Sequence, residues 1–537
     1  MKPIYVTLTI ALIIRLAFGS LFPVTQDEAY YFIWSRALDF GYFDHPPFIA
    51  WLVSLGNLNP SNVLSFRALG IFASLLVPII FISILKKTGV DQKRAIITGL
   101  CLTCFNLGAL VFGFLQTPDL PLIVFWSLAL HEAIAALSGH EKRWLSAGIF
   151  TGLGFLSKYT MVIIGLVFLY GLIKKKGALR SPWPYLGGLC FALVISPHLL
   201  WNHNNDWVSI RFQLGRGFLS QYHVDTENAN KLPLAIDAAP TSQEVKLADY
   251  FKELLEPKET KKPKSNITRA IERFSEFFSG QLALWGAFLV VIISGFWRRK
   301  SRQLNEEKGN WAPHTKAITE AAFFVPLLIF GLISPFQKIE ANWPAAYMIA
   351  AAVILTHKIN IPKRQIYAAS IVNTILVLFL VIHGKFPFVH QGISGDRVLR
   401  ETHGYEALSK KLSQLDAPVF ADTYQNTSML AFYDPKGEYM QWPGITRMSE
   451  LIRRKELVHF NFADLKRTGR FYLITNNFYP PQIKDFSSRR LWKIFSCIDG
   501  TLDIIEAYGS RPAIDHCPLN VQAWTLTEYA LTKTLSY

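Results

Sequence analysis

Apolar residues along this chain gather in long runs separated by short polar stretches. Since about 17 to 25 apolar residues cross a bilayer as a helix, these runs predict membrane spans. One apolar interval, 144–173, is interrupted by SKYT at 157–160 and has basic residues at both ends, so we predict two short helices that enter and return with Lys158 at the turn. Together they make eleven spans, the others being 4–22, 63–85, 95–115, 119–138, 183–201, 277–297, 318–336, 343–357 and 366–383.

The composition and charge support the same class of protein. The 537 residues are 51% hydrophobic and 18% charged, with a mean hydropathy of +0.23, which is too apolar for an ordinary soluble chain. In a soluble chain, the net charge of +16 would suggest a nucleic-acid partner. In a membrane protein, the same excess can come from basic residues in the loops on one side of the membrane. The proposed cytoplasmic segments hold 19 Lys or Arg, whereas the opposite short loops hold three, Arg36, Lys158 and Lys338. The positive-inside rule therefore predicts a cytoplasmic N-terminus, an external C-terminus and no nucleic-acid partner.

The polar segments on the external side predict two domains. Residues 1–383 form a transmembrane catalytic domain with external loops at 23–62 and 202–276. Residues 384–537 are less apolar and form a small soluble domain outside the membrane. The predicted fold class is thus a polytopic α-helical membrane protein with a C-terminal α/β domain.

Alternating apolar and polar residues in the tail predict its strands. They occur in PVFADTY (418–424) and GRFYLITNN (469–477), while SELIRRKEL (449–457) has a helical pattern. Cys497 and Cys517 both lie in this domain. An oxidising exterior permits a disulfide between them, and the sequence leaves their pairing open.

The first external loop contains the polar patch DEAYYFIWSRALDFGYFDHPPFIAWL (27–52), with four acids, a histidine and nine aromatics. On a helix Asp27 shares a face with Tyr31 and Trp34. A carboxylate on an aromatic surface at the membrane boundary is costly without a partner or a function, so Asp27 is a catalytic candidate. Glu28 has a structural alternative, because Thr25 and Glu28 have the spacing of a capping box.

Polar residues from other loops converge on the same side. Asp119 begins a span in TPDLPL, where a helix cap is the alternative, and Lys158 lies between two apolar helices, where snorkelling to the surface is the alternative. Asp44 and His45 precede two prolines, which hold the pair in an extended turn. A further polar cluster lies at the exit of the 183–201 span and consists of His198, Asn202, His203 and Asn205, for each of which a surface position is the alternative.

This inventory favours chemistry on a lipid-linked substrate. A substrate with a lipid tail, a phosphate and a polar head needs a groove between spans, cations for the phosphate, and acids with aromatic surfaces for a sugar. Transfer from such a donor requires a base for the acceptor hydroxyl and a cation or metal for the leaving phosphate. The residue types on the external side therefore predict a sugar transferase.

Six blocks in order also resemble the bacterial GT-C glycosyltransferases of the family 39 type. These are relatives of the protein O-mannosyltransferases and of the aminoarabinose transferase that modifies lipid A. The resemblance covers residues 20 to about 435. Besides the 27–52 patch, its blocks are TPDLPLIVFWSLAL, GLGFLSKYT, SPHLLWNHNNDWVSIRFQLGRG, EANWPAAY and PVFADTYQNTSMLAFY.

The resemblance implies an inverting transferase that uses a polyprenyl-phosphate sugar at the periplasmic face. By motif position, Asp27 is the catalytic carboxylate that activates the acceptor and Asp119 is a second acid in the cavity. Lys158 is implied to contact the donor phosphate. The residues implied to bind substrate are Glu28, Tyr31, Lys158, His45, Asn202 and Arg211.

The resemblance also raises a metal cofactor. In the aminoarabinose enzyme the segment matching Asp44 and His45 reads Glu-Lys before proline, where the acid helps to bind a metal and the lysine contacts phosphate. Here Asp44 keeps the acid and His45 replaces the lysine. A divalent metal is thus a candidate cofactor, with Asp44 and His203 as candidate ligands.

The leading interpretation is a transferase of the bacterial inner membrane that moves a sugar to lipopolysaccharide, lipid A or a similar envelope glycan. Its expected partners are the polyprenyl-phosphate-linked donor, an envelope glycan, lipid or protein acceptor, and membrane lipids. A protein O-glycosyltransferase is the nearest alternative. A transporter or flippase is the alternative of a different class, but it predicts repeated halves and charges near the bilayer midplane, and this sequence has neither.

Overall fold

A computed structural model gives the architecture of most of the chain. It shows a bundle of apolar helices followed by one mixed sheet with short helices. The residues described are 2–56, 62–90, 93–218, 235–236, 265–301, 311–359, 361–389, 396–454, 465, 468, 469–476, 480–483, 486–506 and 520–532.

The helices of the N-terminal part are joined by short turns. Two of the turns are 3₁₀ segments, Tyr159–Ile163 and Ala178–Arg180. The helices are α1 (Lys2–Leu21), α2 (Gln26–Ser35), α3 (Phe48–Gly56), α4 (Val63–Ser74), α5 (Leu76–Lys87), α6 (Lys93–Cys104), α7 (Leu107–Phe112), α8 (Asp119–Leu137), α9 (Arg143–Ser157), α10 (Ile164–Lys174), α11 (Trp183–Asn204) and α12 (Val208–Phe218).

The second half of the bundle adds five helices and a 3₁₀ turn at Ala345–Tyr347. They are α13 (Asn266–Ala283), α14 (Phe288–Ser301), α15 (Pro313–Ile333), α16 (Met348–Lys358) and α17 (Lys363–Lys385).

Six helical stretches among the described residues are long and apolar enough to cross a membrane. They agree with six of the predicted spans: α1, α4 with α5, α8, α11, α15 and α17. The predicted 95–115, 144–173 and 343–357 segments are shorter or broken helices. The predicted break inside 144–173 is present, since α9 ends before Lys158 and Lys158 has an extended backbone, while the predicted return of the chain there stays a prediction. The total of eleven spans stays a prediction.

The span predicted at 277–297 is not a single helix. Its residues belong to two helices, α13 and α14, which meet at an angle of 87°. Gly286 has a positive φ of 56° at the break, and Asn373 of α17 satisfies the freed backbone: its Oδ1 accepts from Ala287 N (2.7 Å) and its Nδ2 donates to Trp285 O (3.1 Å). A polar side chain from a neighbouring helix thus makes the break tolerable in an apolar bundle.

The C-terminal domain is built on a six-stranded sheet of order β3-β2-β4-β8-β6-β7. The β3-β2-β4 part is parallel and the rest is antiparallel. Among the described residues its strands are β2 (Val419–Ala421), β3 (Tyr439–Gln441), β4 (Arg470–Thr475), β6 (Phe486–Cys497), β7 (Leu502–Glu506) and β8 (Asn520–Leu531), and its helices are α18 (Arg397–Thr402), α19 (Tyr405–Leu412), α20 (Tyr424–Tyr433) and α21 (Glu450–Arg453).

The predicted α/β class of this domain is confirmed, and so are the two strands expected near 418 and 470. The helix expected over 449–457 is described only as α21, followed by residues outside the described range. Cys497 is disulfide-bonded, whereas Cys517 lies outside the described residues. A small second sheet pairs β1 (Ala235–Ile236) with β5 (Gln482–Ile483).

Helices α2 and α3 share one apolar core with the C-terminal domain. Phe32 of α2 packs edge-on against Phe432 of α20, with ring centroids 5.0 Å apart, and the ring of Tyr30 lies tilted against that of Tyr424 at a centroid distance of 4.5 Å. Because aromatic burial dominates the energy of such contacts, α2 is held firmly between the membrane bundle and the soluble domain. The predicted site residues on α2 therefore lie at a domain junction.

Candidate active site

Helix α2 begins at a complete capping box, as its sequence predicts. The Thr25 hydroxyl accepts from the Glu28 amide, and the Glu28 carboxylate accepts from the Thr25 amide. Glu28 is fully buried and pairs with the equally buried Arg67 at 2.5 Å, and it also accepts from the Gln116 amide (2.9 Å). This geometry matches the structural alternative for Glu28, a helix cap, because the groups that donate to its carboxylate all belong to the protein itself.

Asp27, one residue earlier, has a different environment. It is exposed and makes no hydrogen bond or ion pair with any described residue. The surrounding protein restricts its hydration, and this desolvation raises the pKa of its carboxyl to about 6 with help from the nearby charges of Glu401 and Asp44, against the opposing charges of Arg447 and Arg397. An accessible carboxylate without a partner and with this pKa suits a general base.

Tyr31 marks the centre of the site. It is buried on α2, and its ring packs at 5.1 Å from Trp34 and 6.2 Å from His45. Burial raises the pKa of its phenol, and the charges of Asp27, Asp44 and Asp119 raise it further. Three predicted carboxylates, two from the 27–52 patch and one from α8, thus act electrostatically on one aromatic side chain.

Asp119 and Lys158 form a buried ion pair on the membrane side. Lys158 Nζ lies 2.6 Å from Asp119 Oδ1, and Asn342 Nδ2 donates to the other oxygen at 2.8 Å. Asp119 lies in the first turn of α8, where a carboxylate is favoured by the helix dipole. Lys158 is buried rather than snorkelling to the surface, because the break between α9 and the following 3₁₀ turn directs it inward.

Asp44 forms the corresponding pair on the side of the C-terminal domain. Arg447 Nη1 lies 2.6 Å from Asp44 Oδ1, and the Tyr30 hydroxyl donates to Oδ2 at 2.7 Å. The same hydroxyl accepts from the Glu450 amide (2.8 Å). These contacts tie the first external loop to the segment that contains α21.

The other predicted substrate-binding residues lie around α11 and α12. Asn202 is buried, with Nδ2 3.0 Å from His198 Nε2. Arg211 and His203 are exposed, and His203 contacts the ring of Trp207 at 6.2 Å. Among the described contacts, α12 reaches the site through Phe212 and Gln213, the two residues that follow Arg211. Gln213 donates to the Asp44 carbonyl, and Phe212 packs on Phe43.

The predicted metal ligands do not assemble into a ligand set. Asp44 is engaged by Tyr30 and Arg447, and His203 makes its described contact with Trp207. Across the described ranges, no group of three or more His, Cys, Asp or Glu side chains could hold a metal ion. Among the described residues, Asp44 is thus paired with an arginine, and the metal cofactor stays a prediction from the sequence.

Two kinds of sequence similarity accompany this geometry. A family model described as dolichyl-phosphate-mannose-protein mannosyltransferase matches residues 44–201, which contain Asp44, Asp119 and Lys158. The lipid A galacturonosyltransferase RgtD of Rhizobium johnstonii is 28% identical over 194 residues. That alignment covers 34% of this chain and 40% of the relative, so less than half of the relative is matched.

The structural similarity extends over nearly the whole chain. The crystal structure of ArnT from Cupriavidus metallidurans, bound to undecaprenyl phosphate, aligns over 95% of this chain and 98% of that chain, with a TM-score of 0.54 and 11% identity. At this identity the match concerns the fold. The chain has the GT-C glycosyltransferase fold. Six of its described helices are long and apolar enough to cross a membrane, which agrees with a multi-pass membrane protein of this fold.

Sequence reasoning missed several residues of this GT-C site. Asn342 lies in the EANWPAAY block, which resembles the family sequence, but the sequence analysis assigned no role to its side chain. The other missed residues lie in the C-terminal domain and are Arg447, Glu450 and Arg453. The first two contact Asp44 and Phe43, and Arg453 donates to Asn205 at the end of α11. The unusual density of arginines between 447 and 454 was the available signal.

Proposed function

We propose that this chain is an inverting glycosyltransferase that moves a sugar from a polyprenyl-phosphate donor to lipid A or a related envelope glycan. The observation that carries the proposal is the accessible carboxylate of Asp27, which has no described partner and lies beside Tyr31 together with Asp44 and Asp119. The chemistry needs a base of this kind next to paired cations.

In the proposed reaction Asp27 accepts the proton of an acceptor hydroxyl. The oxygen then forms a bond to the anomeric carbon of the sugar, while the bond from that carbon to the phosphate oxygen breaks. Polyprenyl phosphate leaves with the electron pair, and Lys158 stabilises its negative charge. Asp119 orients the lysine by accepting from its Nζ at 2.6 Å, and Asn342 holds Asp119 by donating to its other oxygen at 2.8 Å.

The similar proteins support this substrate class. One is named a lipid A galacturonosyltransferase, and another was crystallised with undecaprenyl phosphate. The distribution of 19 cytoplasmic and three external basic residues supports an orientation with Asp27, Lys158 and the C-terminal domain on the periplasmic side. A protein acceptor is the second candidate, because the matching family model is described as a protein mannosyltransferase.

Mass spectrometry of envelope glycans tests the proposal. Lipid A, core oligosaccharide and envelope glycoproteins are compared in cells with the intact gene, without it, and with Asp27→Asn. We expect one sugar to disappear from lipid A or core oligosaccharide in the deletion and in Asp27→Asn, since losing a general base costs roughly 10²–10⁴-fold in rate. Asp416→Asn, an exposed acid in the C-terminal domain, is the control with the same change of charge.

Each result decides between the candidates. A sugar lost from proteins instead of lipid A would favour the protein O-glycosyltransferase. An unchanged set of glycans in cells that contain the protein would contradict the transferase and favour the transporter alternative. Normal transfer by a correctly inserted Asp27→Asn variant would contradict the role of Asp27 alone.

A further inference from the structure

A loop of the C-terminal domain carries Arg447 to the edge of the site. The loop follows β3, and Gln441 at the end of that strand donates from Nε2 to the Arg447 carbonyl (2.9 Å) and to Thr446 Oγ1 (3.1 Å). Gln441 is fully buried, and its Oε1 accepts from Ser449. The backbone that bears Arg447 is therefore fixed to the sheet.

The guanidinium of Arg447 is held on three sides. Besides the ion pair with Asp44, it lies 4.2 Å from the ring centroid of Tyr424 and 5.0 Å from that of Phe212. These partners come from the first external loop, α20 and α12, so three separate parts of the chain orient one side chain. An arginine oriented in this way loses little conformational freedom when it binds a ligand.

Part of the guanidinium remains available. Its Nη1 donates to Asp44 and to the Met448 carbonyl, and Tyr424 accepts a further hydrogen bond. Since arginine has five N–H donors, some of them remain for a ligand. A third of the side chain is exposed, against 5% for Asp44. Tyr424, on whose ring Arg447 lies, also contacts Tyr30 of α2, the helix whose first turn carries Asp27, so an anion that enters at this end of the site meets the guanidinium.

We propose that Arg447 binds a phosphate oxyanion of the acceptor, and this inference rests on the proposed transferase function. Lys158 lies within the helical bundle, where a donor with a lipid tail places its phosphate. Arg447 belongs to the external domain, from which an acceptor head group arrives. The planar fork of arginine matches the oxygens of a phosphate in a bidentate manner, and the aromatic rings on either side keep that fork oriented.

Binding measurements on the purified full chain in detergent test this assignment. The probes are lipid A with two phosphates, its monophosphorylated form, and undecaprenyl phosphate. For Arg447→Gln we expect about a 10- to 100-fold weaker affinity for bis-phosphorylated lipid A, as for the loss of a charge-assisted hydrogen bond. The affinity for undecaprenyl phosphate is expected to stay within about twofold, and Arg470→Gln, which removes an exposed arginine of the same domain, serves as control.

Asp44→Asn separates binding from a structural role. This change breaks the same ion pair but leaves Arg447 in place, so binding of lipid A is expected to persist or tighten. Equal losses in Asp44→Asn and Arg447→Gln would show a structural latch and overturn the proposal. A loss for undecaprenyl phosphate, or no loss for lipid A, would overturn it as well.

Failure of this inference is distinguishable from failure of the proposed function. If the wild-type chain transfers a sugar to lipid A and Arg447→Gln keeps full affinity for lipid A, the transferase stands and only the role of Arg447 falls. If deletion of the gene changes no envelope glycan, the proposed function falls first and the assignment of an acceptor falls with it.

Discussion

Two acid–base pairs border the site, and they differ in where their cations come from. Lys158 and Asp119 both belong to the membrane bundle, and their side chains are 10% and 5% exposed. Arg447 comes from the C-terminal domain to meet Asp44 on the first external loop, and it is 34% exposed. Each acid also accepts from one neutral donor, Asn342 in the first pair and a tyrosine in the second.

This difference separates two tasks. A buried pair is costly to break, because removal of one partner leaves a charge without compensation. A partly exposed pair contributes little to stability, because water screens it. We infer that the first pair maintains the bundle while it contacts the donor, and that the second joins two domains and leaves its cation accessible to a ligand.

The largest expected effect is on the stability of the membrane pair. Asp119→Asn leaves the Lys158 ammonium buried without a carboxylate, and we expect it to lower the free energy of unfolding by about 3–5 kcal/mol. Thermal unfolding of the purified protein in detergent measures the change. A variant as stable as wild type would show that the pair is not buried in the membrane.

A double variant separates stability from function at this pair. Replacing both partners, as Asp119→Leu with Lys158→Met, removes both buried charges and is expected to recover much of the lost stability. Sugar transfer is expected to remain lost, because no cation then contacts the donor phosphate. Recovery of transfer together with stability would mean that Lys158 has only a structural role.

A smaller effect is expected at the domain junction. Arg447→Gln removes a pair that is partly screened by water, so we expect the free energy of unfolding to fall by only about 0.5–1 kcal/mol. Hydrogen exchange gives a local measure: the Phe43 amide donates to Glu450 across the same junction, and its exchange is expected to accelerate. A destabilisation as large as that of Asp119→Asn would contradict the distinction between the two pairs.

The two ion pairs also differ in how many of their residues could be predicted from the sequence. Asp119 and Lys158 were both predicted, because a polar residue in an apolar run stands out by the cost of burying it. Asp44 was predicted without its partner. The arginines around 447 give a local signal but no partner, since the role of Arg447 depends on how the C-terminal domain packs against α2.

The same limit explains the errors in the fold. Apolar run length predicted the six long helices, but it could not show the 87° break between α13 and α14. That break depends on Gly286 and on an asparagine of α17 that lies far away in the sequence. The capping box at Glu28 was predictable because both of its residues are neighbours, whereas the Arg67 partner of Glu28 was not.

The smallest expected effect concerns the pH dependence of transfer. Asp27 must be deprotonated to act as a base, so with a pKa of about 6 the rate is expected to be full above about pH 7, half-maximal near pH 6, and to fall about tenfold per pH unit below that. The kcat/KM for the acceptor, which reports the pKa values of the enzyme before the acceptor binds, measures this acidic limb between pH 4.5 and 8.

The two members of the junction pair are expected to move this limb in opposite directions. The charge of Asp44 raises the pKa of Asp27 and that of Arg447 lowers it, so Asp44→Asn moves the limb to lower pH and Arg447→Gln moves it to higher pH, each by up to about one unit. Asp416 pairs with Arg470, and its charge is not among those that shift the pKa of Asp27. Asp416→Asn is therefore expected to leave the acidic limb in place. Shifts of the same sign in both variants would mean that the junction pair acts on Asp27 by positioning α2 and not by its charges.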